Sequence, residues 1–251
     1  MPHPVRQRIL ITGASAGLGE GMARRFAGMG RDLALAARRT DRLDTLRAEL
    51  LAAHPGIRVE IAALDVDDPD AVAAVIPEMA GRLGGVDRVI VNAGIGKGAP
   101  IGTGKAWANR SVLVTNVLGA HATCEAAMEL FRSQGTGHLV LISSVASIRG
   151  MRQARTAYGA SKAALNALAE GIRSDVHGSG IVVSTILPGY IDTDLTSGRH
   201  SPLLAPFDKG VAALVEAVER EPTKAYVPPW PWRAIGAVLR VAPLPVIRRF
   251  T

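Results

Sequence analysis

Cysteine is almost absent from this chain of 251 residues, which contains only Cys124. A single cysteine cannot form a disulfide within the chain. Cys124 lies in an apolar stretch typical of a helix, where a buried and inert thiol is expected. This cysteine content favours a reducing, cytoplasmic setting.

Long apolar runs are lacking as well. Residues 1–8 contain no such run before the first predicted strand, so no secretory signal is expected. The most suggestive stretch, residues 225–250, is interrupted by Arg233, Arg240 and several prolines. A membrane span needs ~20 uninterrupted apolar residues, so this segment is expected to touch a membrane surface at most.

Aromatic residues are scarce at 4%, although hydrophobic residues make up 48% of the chain. Alanine, valine, leucine and glycine dominate, which suits helices packed closely on a buried parallel sheet. The chain has no internal repeat, low-complexity tract or linker. We expect residues 1–251 to form one domain, since α/β folds of this length commonly do so.

Acidic residues are missing from the tail, residues 228–251, which carries four arginines. The tail therefore holds four of the seven formal positive charges of the chain. Such a basic segment favours anionic partners such as phosphorylated ligands or lipid headgroups, or is simply solvated. Nucleic acid is not expected, because no aromatic residues are interleaved with the arginines and no nucleic-acid-binding motif is present.

Short apolar runs alternate with longer amphipathic ones, which predicts repeated βα units. Strands are predicted near residues 9–13, 32–37, 57–64, 86–92, 137–143, 181–187 and 224–227. Helices are predicted near residues 17–30, 41–53, 69–83, 103–133, 156–178 and 208–220. This pattern predicts an α/β, doubly wound, Rossmann-like parallel sheet of seven strands, with its chemistry at the carboxyl ends of the strands.

A glycine-rich loop joins the first predicted strand to the first helix. Gly13 permits a tight turn, Gly17 permits backbone to approach a pyrophosphate, and Gly19 permits close packing of helix on strand. The helix that begins there supplies unpaired N–H groups to a phosphate. The sequence therefore predicts a dinucleotide site, including Ser15 and Leu18 of the same loop.

The second predicted strand ends without the carboxylate that would bind the ribose 2′-hydroxyl of NAD. Ala37 stands in that place, followed by Arg38 and Arg39. A guanidinium binds a 2′-phosphate in a bidentate manner, so NADP is predicted in preference to NAD, with Arg38 as the main contact and Ser15 and Arg39 as helpers.

Tyr158 and Lys162 are four residues apart in a predicted helix, so they share one face. A nearby ammonium favours phenolate, and Lys162 is therefore predicted to lower the pKa of Tyr158. A phenol so placed passes a proton to or from a substrate oxygen.

Together these motifs resemble the short-chain dehydrogenase/reductase family over roughly residues 8–227. The resemblance implies a catalytic tetrad of Asn116, Ser144, Tyr158 and Lys162. It also implies cofactor contacts in successive motifs, at Gly13, Ser15, Gly17, Leu18, Gly19, Arg38, Arg39, Asp65, Val66, Asn92, Ala93, Gly94, Tyr158, Lys162, Pro188, Gly189, Ile191 and Thr193. No metal is expected.

Two serines, Ser143 and Ser144, end the fifth predicted strand, and only one can face the substrate. Ser144 fits the family position, although it lies 14 residues before Tyr158, one more than is usual in the family. The extra residue falls in the loop 145–157, whose arginines at 149, 152 and 155 are either solvated or face an anionic group.

The resemblance implies hydride transfer between NADP(H) and a carbonyl or secondary alcohol, with Tyr158 as acid or base, Ser144 bonding the oxygen, and Lys162 bonding the nicotinamide ribose. A non-catalytic cofactor sensor and a membrane-surface scaffold are alternatives on the same fold. A homo-oligomer, either dimer or tetramer, is also expected.

Two variable segments remain open to interpretation. Residues 194–210 occupy the family's substrate-binding position, and their apolar side chains either contact a hydrophobic substrate or cover the core. His200 is interpreted as a surface residue. The tail contains apolar residues at helical spacing and is an oligomer or domain contact, an interfacial helix, or a flap over the active site.

Overall fold

In this computed structural model, which describes residues 5–198, 201–245 and 247, one parallel sheet runs through the protein. The strand order is β3-β2-β1-β4-β5-β6-β7, which confirms the predicted doubly wound fold. The strands are β1 (Arg8–Thr12), β2 (Asp32–Ala37), β3 (Val59–Ala63), β4 (Arg88–Val91), β5 (Thr136–Ile142), β6 (Gly180–Pro188) and β7 (Lys224–Val227).

The helices cover both faces of this sheet and join its strands. They are α1 (Gly17–Gly28), α2 (Thr40–Ala53), α3 (Pro69–Leu83), α4 (Ala106–Leu113), α5 (Ala120–Gln134), α6 (Thr156–Asp175), α7 (Phe207–Glu219) and α8 (Pro229–Val241).

The helix predicted near residues 103–133 is present as an unbroken helical run from Ala106 to Gln134, but it is not α-helical throughout. A π-helical turn, Val114–Gly119, separates α4 from α5. Such a turn carries one extra residue per turn and is invisible to a periodicity of 3.6. Gly119 lies tightly against the next layer, because a Cβ there would come within 2.8 Å of the Val66 backbone oxygen.

The core lies on both faces of the sheet. In β1, Ile9 and Ile11 face α1, α2 and α7, whereas Leu10 faces α3, α5 and α6. Strands buried on both faces are continuous apolar runs, which explains the β1 sequence. With both faces covered, the ends of the strands are left for polar chemistry.

The tail forms α8, which the list of predicted helices did not include. Its inner face packs on the domain through the buried Trp232 and Gly236. Its outer face is apolar and exposed at Val238 and Val241. Arg248 and Arg249 of the tail lie outside the described residues, as does His200.

Two kinds of feature are absent from the described ranges. No helix in them is long and apolar enough to cross a membrane. No grouping of three or more His, Cys, Asp or Glu side chains in them is placed to hold a metal ion.

Candidate active site

The glycine-rich loop follows β1 as a tight turn that only small residues permit. Gly13 has φ of +69°, and a Cβ there would come within 2.8 Å of the Ala93 Cα. A Cβ on Gly19 would lie 2.3 Å from the Gly13 carbonyl oxygen. Both glycines therefore let α1 and the loop after β4 pack against the end of β1.

The N-terminus of α1 opens toward the space beyond the sheet. Ala16 precedes the helix and offers no side-chain cap, so the first N–H groups lack that partner. Gly17 has φ of +56°, and the nearest atom to a Cβ there would be Thr193 Cβ at 4.0 Å. This arrangement leaves room and donors for an anionic group.

Asn92 connects the end of β4 to the loop after β1. Its Nδ2 donates to the Thr12 carbonyl oxygen at 2.9 Å and to the Gly13 carbonyl oxygen at 3.3 Å. Its backbone N–H donates to Thr12 Oγ1 at 3.1 Å. Thr12 thus helps to build the site, although the sequence analysis did not include it among the site residues.

The arginines after β2 lie at the rim of the same space. Arg38 is 62% exposed in its side chain and lies 3.7 Å from the Asp65 carboxylate. Arg39 Nε donates to Ser15 Oγ at 3.2 Å. The residues predicted to receive a 2′-phosphate are therefore neighbours in space, with an acidic group beside them.

Asn116 lies inside the π-helical turn and is fully buried. Its Oδ1 accepts from the Ile95 N–H at 2.8 Å, and its Nδ2 donates to the Ile95 carbonyl oxygen at 2.9 Å. A second contact joins Nδ2 to Ser161 Oγ on α6 at 3.0 Å. Asn116 therefore fixes the backbone after β4 against α6, with Lys162 next in the chain.

The two serines after β5 take different roles in the structure. Ser143 Oγ donates to the Lys162 carbonyl oxygen at 2.9 Å and so anchors β5 to α6. Ser144 Oγ accepts from the Ala146 N–H at 3.1 Å, and its hydroxyl is hydrogen-bonded to Tyr158. The side chain beside the phenol is thus Ser144.

Tyr158 and Lys162 lie one turn apart on α6, and Lys162 Nζ is 6.0 Å from the Tyr158 ring centroid. The prediction that Lys162 lowers the pKa of Tyr158 is not what the structure shows. Burial raises the pKa of Tyr158, and the hydrogen bond with Ser144 opposes that rise. Burial also lowers the pKa of Lys162 to about 8, which weakens the cation, and its Nζ donates to the Ile142 carbonyl oxygen at 2.8 Å.

The segment after β6 forms the opposite wall. Thr193 N–H donates to Thr196 Oγ1 at 3.0 Å, and Thr196 Oγ1 donates to the Ile191 carbonyl oxygen at 2.6 Å. Leu195 is 56% exposed and covers Gly96, where a Cβ would come within 2.7 Å of Leu195 Cδ1.

These walls enclose one cleft of about 440 Å³ at the carboxyl end of the sheet. All the predicted site residues line it except Gly19 and Asn116, which support it from behind. The cleft is also lined by residues that the sequence analysis did not assign to the site, namely Ala16, Ala37, Leu64, Ile95, Thr115, Ile142, Ser143, Asp194, Leu195 and Thr196. The last three of these fall in the variable segment, residues 194–210.

Comparison with known proteins gives consistent matches. A family model described as short chain dehydrogenase matches residues 7–203. An uncharacterized oxidoreductase of Mycobacterium tuberculosis is 50% identical over 246 residues, which cover 98% of this chain and 97% of the relative. A 3-oxoacyl-acyl-carrier-protein reductase of Chlamydia muridarum is 30% identical, covering 82% of this chain and 83% of the relative.

Solved structures share the architecture. The alcohol dehydrogenase of Thermococcus sibiricus, solved in complex with 5-hydroxy-NADP, superposes with a TM-score of 0.78. It is 27% identical and covers 88% of this chain and 95% of its own.

Proposed function

The chain belongs to the short-chain dehydrogenase family of oxidoreductases, and on that premise we propose that it transfers a hydride between NADP(H) and a carbonyl or secondary alcohol. One observation carries the proposal. The glycine loop and the pair Tyr158 and Lys162 line a single cleft, so a dinucleotide held by the loop would extend toward a proton donor.

The residues present fit a dinucleotide. The N-terminus of α1 lacks a side-chain cap, and the space beyond Gly17 is open. Both features suit a pyrophosphate, which accepts hydrogen bonds from free N–H groups at a helix N-terminus. The cofactor, when bound, supplies or accepts the hydride at its nicotinamide ring. Lys162, buried beside Tyr158, is the donor we assign to the nicotinamide ribose.

The preference for NADP is the finer part of the proposal. It is supported by Ala37 at the end of β2 and by the exposed Arg38 beside it. A guanidinium with free donor positions binds a phosphate group in a bidentate manner. The hydrogen bond from Arg39 to Ser15 keeps a second guanidinium at the same rim.

Tyr158 is the proposed acid and base. Its raised pKa keeps the phenol protonated at neutral pH, which suits donation of a proton to a carbonyl oxygen during reduction. Ser144, hydrogen-bonded to Tyr158, is positioned to donate to the same oxygen as negative charge develops there. Asn116 holds the backbone at Ile95 and so keeps this wall of the cleft fixed.

We propose a hydrophobic substrate. Ile95 and Leu195 line the same cleft as Tyr158, and Leu195 is 56% exposed. When a ligand removes apolar side chains at the edge of a cleft from water, binding is stabilised by about 25 cal/mol per Å² of apolar surface buried.

A panel of ketones, aldehydes and secondary alcohols tests the function. Each would be offered with NADPH, NADH and their oxidised forms, and turnover would be followed by the nicotinamide absorbance. We expect turnover of a hydrophobic carbonyl compound with NADPH in preference to NADH. Cofactor binding without turnover of any compound would favour a non-catalytic sensor, whereas equal rates with both cofactors would contradict the NADP preference.

We further propose that the tail contacts anionic membrane surfaces in the cytoplasm. The outer face of α8 exposes Val238 and Val241, and the first turns of the same helix carry Trp230, which is 78% exposed, and the exposed Arg233. Basic amphipathic helices of this kind bind anionic lipids. Co-sedimentation with anionic vesicles should be lost in a chain ending near Val227; equal recovery of both proteins in the supernatant would contradict the proposal.

We also propose a homo-oligomer. Trp107 and Leu113 of α4 and Leu118 of the π-helical turn are exposed apolar residues on one stretch of chain. A cluster of this kind is typical of an interface. Light scattering after size-exclusion chromatography measures the assembly directly, and a monomer at high protein concentration would contradict it.

A further inference from the structure

Trp232 is the one tryptophan that α8 buries, with 3% of its surface exposed. It packs edge-on against Tyr190, with ring centroids 4.9 Å apart and planes at 81°. The family model ends at residue 203, so this contact joins a part of the chain that the model does not match to the segment after β6.

The indole occupies the side-chain space of Gly189. A Cβ on Gly189 would lie 1.9 Å from Trp232 Nε1, so no larger residue fits there while the indole stays in place. On the strand side, the Gly189 N–H donates to the Val227 carbonyl oxygen at 2.8 Å. Gly189 is therefore held between β7 and α8, and it lines the cleft.

The indole donor has no protein partner in this position. Trp232 Nε1 is buried and makes no hydrogen bond. A buried donor without a partner costs free energy, so its burial calls for an explanation other than stability. We explain the burial of this donor by packing, because the edge of the indole that carries Nε1 fits closely against Gly189.

The same helix is also attached to the loop on the other side of the catalytic centre. Gly236 of α8 lies against Ile148, where a Cβ would come within 3.1 Å of Ile148 Cδ1. Arg149 Nη1 donates to the Arg240 carbonyl oxygen at 3.1 Å. Ile148 and Arg149 belong to the loop that begins after Ser144, so α8 contacts both loops that flank Tyr158.

We propose that Trp232 is a positioning residue for the proposed reaction: by filling the space above Gly189 it fixes the Pro188–Gly189 turn, and with it the wall of the cleft against which the nicotinamide binds. The proposal rests on the proposed function. It assigns a role at the active site to α8, in addition to any contact its outer face makes.

The test is a double-mutant cycle between Gly189→Ala and Trp232→Phe. Three indole atoms, Nε1, Cε2 and Cδ1, lie within 2.5 Å of the new Cβ. The phenyl ring is smaller than the indole by a fused ring, so it has space to shift and make room for alanine at 189. Trp230→Phe is the matched control, since it makes the same change two residues earlier on an indole that is 78% exposed. The dissociation constant for NADPH is measured by calorimetry. The constants kcat and KM are measured from the nicotinamide absorbance with a carbonyl compound that the wild type reduces.

Gly189→Ala alone is expected to lower kcat/KM by about 10²-fold, because a shift of the turn by about 1 Å misaligns the reacting groups. Trp232→Phe alone is expected to raise the dissociation constant for NADPH by about 3- to 10-fold, which corresponds to roughly 0.6–1.4 kcal/mol of binding free energy. In the double variant, at least half of the decrease in log(kcat/KM) that Gly189→Ala causes should be recovered. Trp230→Phe should match the wild type in all three constants.

Additive effects of the two changes would overturn the proposal. So would a Trp232→Phe protein that melts earlier than Trp230→Phe but binds and turns over equally well, because that result describes a structural residue only. If the wild type binds neither NADPH nor NADH, the proposed function fails as well; if it binds and only the coupling is missing, this inference alone fails. Should Gly189→Ala not fold alone, recovery of folding in the double variant supports the contact, and failure of both contradicts it.

Discussion

At the amino end of the sheet the buried Arg88 guanidinium meets carboxylates, whereas at the carboxyl end the buried Lys162 ammonium donates to a carbonyl oxygen. Arg88, at the start of β4, is paired with Glu219 and lies 3.4 Å from Glu221. Arg6 Nε donates to Glu221 at 2.7 Å, and Arg88 Nε donates to His138 Nδ1 at 2.8 Å. Burial lowers the pKa of Arg88, but Glu219 and Glu221 oppose that fall, so the buried charges of this end have partners within the protein.

The carboxyl end is compensated only in part. Burial lowers the pKa of Lys162 to about 8 and raises the pKa of Tyr158. Both shifts disfavour the charged form, which means that solvation has been lost without an equivalent partner. The helix α1 begins at this end without a side-chain cap.

This difference between the two ends of the sheet indicates that one end contributes mainly to stability and that the other is arranged to bind a ligand. A buried charge network that is complete holds the strands together, and removing one member leaves the others unpaired. A site that is incomplete keeps donors and shifted pKa values for a ligand, at a cost in stability. Substitutions at the amino end should therefore change the free energy of unfolding, and those at the carboxyl end should change turnover.

The largest expected effect is on turnover, from Tyr158→Phe. Loss of the proton donor should lower kcat by about 10²–10⁴-fold while the melting temperature stays near that of the wild type. Tyr226→Phe, which removes a hydroxyl that accepts from Arg240 Nη2, is the matched control. Steady-state kinetics with NADPH measures both; a Tyr158→Phe enzyme with near-normal rates would end the assignment of Tyr158 as acid and base.

Glu221→Gln tests the amino end. The change leaves Arg6 buried without its carboxylate and leaves Arg88 with Glu219 alone, and it should cost about 3–5 kcal/mol of the free energy of unfolding. The melting temperature should fall by roughly 6–20 °C. Glu216→Gln is the matched control, because Glu216 forms an exposed pair with Arg220 and its loss should cost about 0.5 kcal/mol or less. Equal free energies of unfolding for the two variants would contradict the stabilising role of the buried charge network at the amino end.

Lys162→Met tests the cost of the incomplete site. The pKa of Lys162 is about 8 in the folded protein and 10.5 ordinarily, so the unfolded chain binds the proton more tightly. Protonation of the buried amine therefore destabilises the folded protein. The free energy of unfolding is highest above about pH 10.5, where the amine is neutral in both states, and it falls as pH falls toward 8. Urea unfolding at pH 7 to 10.5 should show the wild type gaining roughly 2–3 kcal/mol relative to Lys162→Met as pH rises. A difference that does not change with pH would contradict the buried ammonium.

Arg38→Ala has the smallest expected effect, because its side chain is 62% exposed. Loss of a solvent-screened contact to a phosphate should raise KM for NADPH by about 10-fold and leave KM for NADH unchanged. Arg58→Ala is the control, since Arg58 pairs with Asp32 at the opposite end of β2. An equal rise for both cofactors would mean that Arg38 does not distinguish them.

Much of the fold and of the site could be predicted from local patterns. The βα alternation predicts the seven parallel strands, because buried strands and amphipathic helices have different periods. The spacing of Gly13, Gly17 and Gly19 predicts the turn after β1, and the four-residue spacing of Tyr158 and Lys162 predicts one shared face of α6. These patterns depend on neighbours in the chain.

Other features could not be predicted from neighbours. The π-helical turn around Asn116 depends on contacts with Ile95 and Ser161, which lie 21 and 45 residues away. The direction of the pKa shift of Tyr158 depends on how deeply α6 is buried. The fit of Trp232 on Gly189 joins residues that the sequence placed in separate motifs.

The sequence by itself therefore determined the order of the elements, the position of the glycine loop and the placement of Tyr158 and Lys162 on one face of a helix. The tertiary structure decided which serine lies beside Tyr158, how burial shifts its pKa, and that α8 contacts the wall of the cleft. The physical reason is range: backbone preferences and side-chain periodicity act over a few residues, whereas desolvation and close packing exist only after distant segments have come together.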